Sequence, residues 1–242
     1  MSSTNYVDKE HIYEMEITNP LIRDLCPHFS DLHHDHHLLT TLNTLLPSLQ
    51  LHTQALKGQL NQGQGGSFPI HSDSDYGTDS RHVSGVLYLN PNWKPGDGGE
   101  LRLYPFPYQP IDIAPIGGRL VLFSSTGILH RVLPSFVQRY CSTIWFSGSG
   151  QRSVDVKPAT LDLWELAFSA RYRKHLARVI LAEEWAQSLV ESHPPSKELD
   201  QMLQQHLQNV SLTSKIFASI LPEIQKFYPV SPEDSSFKGN WF

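Results

Sequence analysis

His71 and Asp73, two residues apart, His130 far downstream and Arg139 nine residues beyond it are the side chains of this chain best suited to chemistry. Two imidazoles and one carboxylate on one face of a ferrous ion leave its other positions open, the arrangement used by non-haem iron oxygenases. Successive side chains of a β-strand point to opposite faces. In His71-Ser72-Asp73 the two ligand-type residues therefore project to one side and Ser72 to the other. His130 must come from a distant strand, since it lies between the apolar run 119–123 and the strand-like segment 139–146. A turn around Pro134 then leads to Arg139. Its permanently charged planar fork, directed inward, requires a carboxylate. The pattern predicts a ferrous centre next to a bound dicarboxylate.

Five words occur in order between Gly65 and Phe146. They are Phe68-Pro-Ile-His71-Ser-Asp73, Val86-Leu-Tyr88-Leu-Asn90-Pro-Asn-Trp93, Asp97-Gly98-Gly99-Glu100-Leu-Arg-Leu-Tyr-Pro105, Leu129-His130-Arg131-Val132 and Arg139-Tyr140-Cys-Ser-Thr143-Ile-Trp145. This stretch, about a third of the chain, resembles the prolyl 4-hydroxylase-like branch of the 2-oxoglutarate- and iron(II)-dependent dioxygenases. The resemblance implies a double-stranded β-helix, a jelly-roll variant, with helices before and after it. It implies iron(II) on His71, Asp73 and His130, and 2-oxoglutarate chelating through its C1 carboxylate and C2 carbonyl. Arg139, with Tyr88, would hold the C5 carboxylate. Molecular oxygen is the other substrate, and L-ascorbate the reductant. The target it favours is a peptidyl proline or another protein side chain over a small molecule. A non-catalytic jelly-roll binding module and a cupin-like metalloenzyme are the competing readings; the complete ligand set opposes the first and Arg139 the second.

Several residues keep two readings. Arg139, Cys141, Thr143 and Trp145 alternate, so all four should face the barrel interior. Thr143 either adds a hydroxyl to the distal carboxylate or is a β-branched strand residue. Asn61 stands where many relatives place a tyrosine. It either donates its amide to the C1 carboxylate or serves the glycine-rich turn that follows it. Cys141 reads as a small core residue. The tract His33–His37 resembles a metal site, yet adjacent helical side chains diverge, so it reads as an exposed helix start. Asp75 is either a solvent-facing residue near the metal or a turn residue before Tyr76. The basic cluster Arg171, Arg173, Lys174 and Arg178 reads as a solvated helix face.

The elements that must position these residues are legible from periodicity. A helix is expected over 31–46, followed by eight short strands at 51–60, 68–73, 83–89, 101–104, 111–113, 119–123, 128–132 and 139–146. After Pro158 the helical period returns, with Leu163, Leu166, Ala167 and Ala170 on one stripe and Leu176, Val179 and Ile180 on another. Pro194-Pro195 breaks it, and a second stretch from Ser196 to Leu221 ends at Pro222. The expected organisation is supporting helices over 1–50, a β-helix domain over 51–148, a helical extension over 155–228 and a tail over 229–242. The loops 74–82 and 91–99 would border the entrance, offering Tyr76 and Trp93.

Composition narrows the class. The 242 residues are 39% hydrophobic and 18% charged, enough for one full core. No apolar run approaches the ~20 residues that span a bilayer, and the polar start lacks the regions of a signal peptide. With two cysteines, Cys26 and Cys141, no disulfide framework is expected, which points to the cytosol or nucleus. A net charge of −5 argues against nucleic acid as a partner.

Overall fold

The computed structural model describes residues 11–17, 20–75, 79–150, 169 and 172–230. The strands are β1 (Ile12–Glu16), β2 (Leu51–Asn61), β3 (Gly66–His71), β4 (Arg81–Tyr88), β5 (Leu101–Tyr104), β6 (Ile111–Ile113), β7 (Leu120–Ser124), β8 (Leu129–Ser135) and β9 (Arg139–Gly148). They form a five-stranded sheet, β1-β2-β9-β4-β7, facing a four-stranded sheet, β3-β8-β5-β6. Every pairing between them is antiparallel. This is the jelly roll expected from the sequence, with β1 added at one edge.

Strand parity decides what faces the space between the sheets. In β9 the residues Arg139, Cys141, Thr143 and Trp145 all line one cavity there. Tyr88 pairs with Cys141, Val86 with Thr143 and Ser84 with Trp145, so these three share that face. Phe68, Val86, Tyr88, Leu101, Val121, Phe123, Val132 and Cys141 make the inter-sheet core. The opposite parity of β9 gives Ile144 and Phe146, which are buried with Leu42, Leu49 and Leu56 beneath the N-terminal helices.

Those helices are α1 (Pro20–Leu25), α2 (Pro27–His34) and α3 (His37–Leu45). The single helix expected over 31–46 is therefore two. Asp35 takes an extended conformation, with ψ of 107°, and its carboxylate accepts the His37 backbone N–H at 2.8 Å. The Gln54 amide holds the break by donating to the carbonyls of His33 and Asp35 at 2.6 and 2.9 Å. The first fifty residues also carry β1 besides helices.

On the other side, α4 (Arg173–Ile180), α5 (Ala182–Ser192), α6 (Lys197–Ile216) and α7 (Leu221–Phe227) cover the smaller sheet. Leu176, Ala177, Trp185 and Leu189 bury against Ile70, Tyr104 and Leu129. Pro222 lies in the first turn of α7 instead of ending a helix, because that turn needs no proline N–H. Expectations placed on Leu163, Leu166, Ala167, Ala170, Arg171, Tyr76 and the tail beyond Val230 fall outside the described residues. The basic cluster is not a solvated face at the positions described: Arg173 is buried, and Lys174 turns inward onto Ser72 and Asp75.

Candidate metal centre

His71 ends β3 and pairs directly with His130 at the start of β8, so the sheet register sets the two imidazoles side by side with ring centroids 4.2 Å apart. Asp73 lies on the bend just past β3, because the strand stops at His71 and not at residue 73 as its alternation suggested. The bend still turns the carboxylate to the same side. Asp73 Oδ1 is 3.6 Å from His71 Nε2 and 3.7 Å from His130 Nε2. Donors bonded at ~2.1 Å to one ion stand at most ~4.2 Å apart, so both separations fit a shared cation. Among the described residues this is the one cluster of three such groups close enough to hold a metal ion, the His33–His37 tract not being among them.

The outer contacts of the three ligands leave the right atoms open. Each histidine directs Nδ1 at a backbone carbonyl, His71 to Pro69 at 2.8 Å and His130 to Ile128 at 3.4 Å, which leaves Nε2 as the lone-pair donor. Ser84 donates to Asp73 Oδ2 at 2.5 Å and contacts Ser125 Oγ at 2.8 Å, so Oδ1 is the oxygen turned to the imidazoles. Burial pushes His130 down to about 4, with the nearby His71 acting in the same direction, so it is neutral and able to ligate near neutral pH. Burial acts to raise Asp73, but His130, His71 and the Ser84 hydroxyl outweigh it and hold the carboxyl well below the usual range.

The cavity encloses about 690 Å³ and runs from this cluster to Arg139. Arg139 is 1% exposed, donating from Nε to the Gly99 carbonyl at 2.8 Å. Gly99 has φ of +76°, and a Cβ there would come within 2.7 Å of Arg139 Cδ; only glycine lets the hairpin approach this closely. One tip nitrogen of the guanidinium, Nη1, reaches the Cys141 sulfur at 3.3 Å and Gln59 Oε1 at 3.5 Å. No carboxylate of the described residues pairs with it. A buried guanidinium without an anion is costly, and this one faces a cavity. Tyr88 lies beside it, with Arg139 5.1 Å from the ring centre. The Tyr88 hydroxyl is buried next to that guanidinium, which can only donate to it, so its proton meets no acceptor among the described residues, and burial pushes the phenol up to about 12.

Asn61 does not reach this space. Its amide donates to the Gly66 carbonyl at 2.7 Å and its oxygen accepts the Gly63 N–H at 3.0 Å, so both ends close the 61–66 turn. The C1-carboxylate role considered for it does not fit that geometry. Gln59, one inward position earlier on β2, lines the cavity instead, together with Lys57. Thr143 lines the cavity too, and Trp93 donates to the Gly98 carbonyl at 2.9 Å. Ser84 was missed in the sequence, although its parity with Tyr88 on β4 places it inward. The donor set fits iron(II): two imidazoles and a carboxylate on one side, with the more exposed His71 flank left open.

The model of the 2OG-Fe(II) oxygenase superfamily matches residues 56–147. A solved structure of prolyl 4-hydroxylases from Phytophthora capsici is 35% identical, with a TM-score of 0.74, covering 88% of this chain and 75% of that one. The chain belongs to the prolyl 4-hydroxylase-like 2-oxoglutarate- and iron(II)-dependent oxygenases. Human prolyl hydroxylase EGLN3 is 36% identical over 94 residues, which are 38% of this chain and 39% of that protein. A hypoxia-inducible factor prolyl hydroxylase of Caenorhabditis elegans is 39% identical over 93 residues, 37% of this chain and 13% of that protein. The chain thus spans well under half the length of these two relatives. Members of this family use iron(II) and 2-oxoglutarate, and His71, Asp73 and His130 form a cluster that could hold the metal.

Proposed function

We propose that this protein is a 2-oxoglutarate- and iron(II)-dependent dioxygenase that hydroxylates a proline of a protein or peptide. One observation carries the reading. The cavity joins a two-imidazole, one-carboxylate cluster to a buried guanidinium that pairs with no carboxylate of the described residues and a phenol whose proton meets no acceptor among them. A dicarboxylate with its keto-acid end at the cluster and its other end at Arg139 would satisfy both. Bound iron(II) and 2-oxoglutarate would let molecular oxygen act as the oxidant, one of its atoms entering the substrate and the other succinate, with release of carbon dioxide.

The side chains prepare that chemistry. Ser84 fixes the Asp73 oxygen not offered to the metal, and the backbone carbonyls of Pro69 and Ile128 fix both imidazole tautomers. Arg139 orients the co-substrate by the geometry of its fork, and Tyr88 donates its proton to the same carboxylate. Phe68, Val86, Leu101 and Val132 give the cavity its apolar wall. The proline target is supported by the likeness to named prolyl hydroxylases, and a cytosolic or nuclear site of action by the two free cysteines.

The test is incubation of the purified chain with iron(II), 2-oxoglutarate, ascorbate and a library of proline peptides, read by mass spectrometry. One added oxygen on a proline with matching succinate supports the proposal. Succinate without any peptide product would move the substrate to small molecules. Co-substrate binding without turnover, with cell extract also supplied, would favour a non-catalytic module.

A further inference from the structure

The segment that carries two of the three ligands is held from three sides. Ser84 grips Asp73 from β4, and the Ser74 N–H donates to the Ser125 carbonyl at 3.1 Å. The third hold comes from outside the jelly roll. Lys174, in the first turn of α4, donates from Nζ to Ser72 Oγ at 2.6 Å and pairs with the Asp75 carboxylate. Ser72 is the residue between His71 and Asp73, just past the end of β3, and its hydroxyl is turned to Lys174. The lysine side chain is only 16% exposed, and its helix is anchored by the buried Leu176 and Ala177. It is therefore fixed at both ends.

We propose that Lys174 is a positioning residue of the metal centre, through which the C-terminal helices set the geometry of the ligand segment 71–75. The inference rests on the metal reading of His71, Asp73 and His130. Two effects act together. The bond to Ser72 fixes the bend on which the spacing of His71 and Asp73 depends. The ion pair with Asp75 ties down the chain two residues past Asp73. The matched oxygenase region ends at residue 147, so a residue beyond it becomes part of the site. Loss of an outer partner of this kind weakens metal affinity by roughly 10- to 100-fold.

Cobalt(II) titrated into the metal-free full-length protein is the probe, because its visible spectrum reports ligand number as well as affinity. Lys174→Met and Ser72→Ala should each weaken cobalt(II) binding by roughly 10-fold. The double variant should be no weaker than Lys174→Met by more than about threefold, since Ser72→Ala removes only a contact that Lys174→Met has already removed. Lys174→Arg should retain most of the affinity. Ser72→Ala leaves the helix layer untouched, so it decides the matter even if Lys174→Met unfolds. Both single variants binding within about twofold of the wild type, or losses that multiply in the double variant, would overturn the proposal. A wild-type chain that binds no cobalt(II) would remove the metal reading itself.

Discussion

Replacing Arg139 by lysine separates the charge of the co-substrate anchor from its shape. The guanidinium is 1% exposed, and its Nε is held by the Gly99 carbonyl, so the fork tip is aimed before any ligand arrives. Lysine keeps the charge but has no donor at the Nε position, leaving the Gly99 carbonyl unmet, and it offers a carboxylate one point contact in place of two. Breaking a buried, hydrogen-bonded charge pair costs about 2–5 kcal/mol. At 1.4 kcal/mol per decade that is roughly 30-fold to several thousand-fold in affinity, and lysine should fall at the lower end. Isothermal titration of 2-oxoglutarate into the anaerobic iron(II) protein should therefore show Kd rising about 30-fold or more. Iron(II) affinity measured without co-substrate should change less than about threefold, because Arg139 touches none of the three ligands in this structure. An Arg139→Lys variant that binds 2-oxoglutarate as tightly as the wild type would refute the reasoning and bring the cupin-like reading forward.

Three further outcomes are expected. Tyr88→Phe removes a buried hydroxyl whose proton meets no acceptor among the described residues, so metal-free stability should hold or rise while 2-oxoglutarate binds roughly 5- to 10-fold more weakly by calorimetry. Asn61→Ala should lower unfolding free energy by about 1–3 kcal/mol in urea, through loss of the turn bonds to Gly63 and Gly66, with 2-oxoglutarate affinity unchanged. His206, buried against Trp185 and donating to the Ala182 carbonyl, is held below its ordinary value of 6.5, first by burial. The folded state then binds fewer protons than the unfolded chain, so stability should fall as pH drops through about 6.5, and His206→Gln should flatten that fall in thermal melts from pH 7 to 5.

The strands that build the site were legible because their parity carries chemistry. Arg139, Cys141, Thr143 and Trp145 alternate, and the cavity shows all four on one wall. His71 beside His130 followed from the family words, and the register supplied the reason. What escaped the sequence depends on contacts between distant segments. Asn61 had two plausible partners in the sequence, and only the fold shows its amide spent on the turn. The break at Asp35 is invisible to a hydrophobic period that runs through it, because it is stabilised by Gln54 from another element. β1 did have a signal, Tyr13, Met15 and Ile17 alternating with Glu14 and Glu16, but a short strand at an edge is easily taken for a polar leader. Lys174 reads as one more exposed base until the helix layer is folded against the ligand segment.

One cavity that holds iron(II) on His71, Asp73 and His130 would hold 2-oxoglutarate between that ion and Arg139, and the pairing has an optical signature. The pairing is tested most directly by the visible charge-transfer absorption of the anaerobic iron(II) protein as 2-oxoglutarate is added. The band should grow to saturation at one equivalent of each in the wild type and be absent from a folded His130→Ala variant. A folded, iron-loaded wild-type chain that shows no band at saturating 2-oxoglutarate would contradict the account.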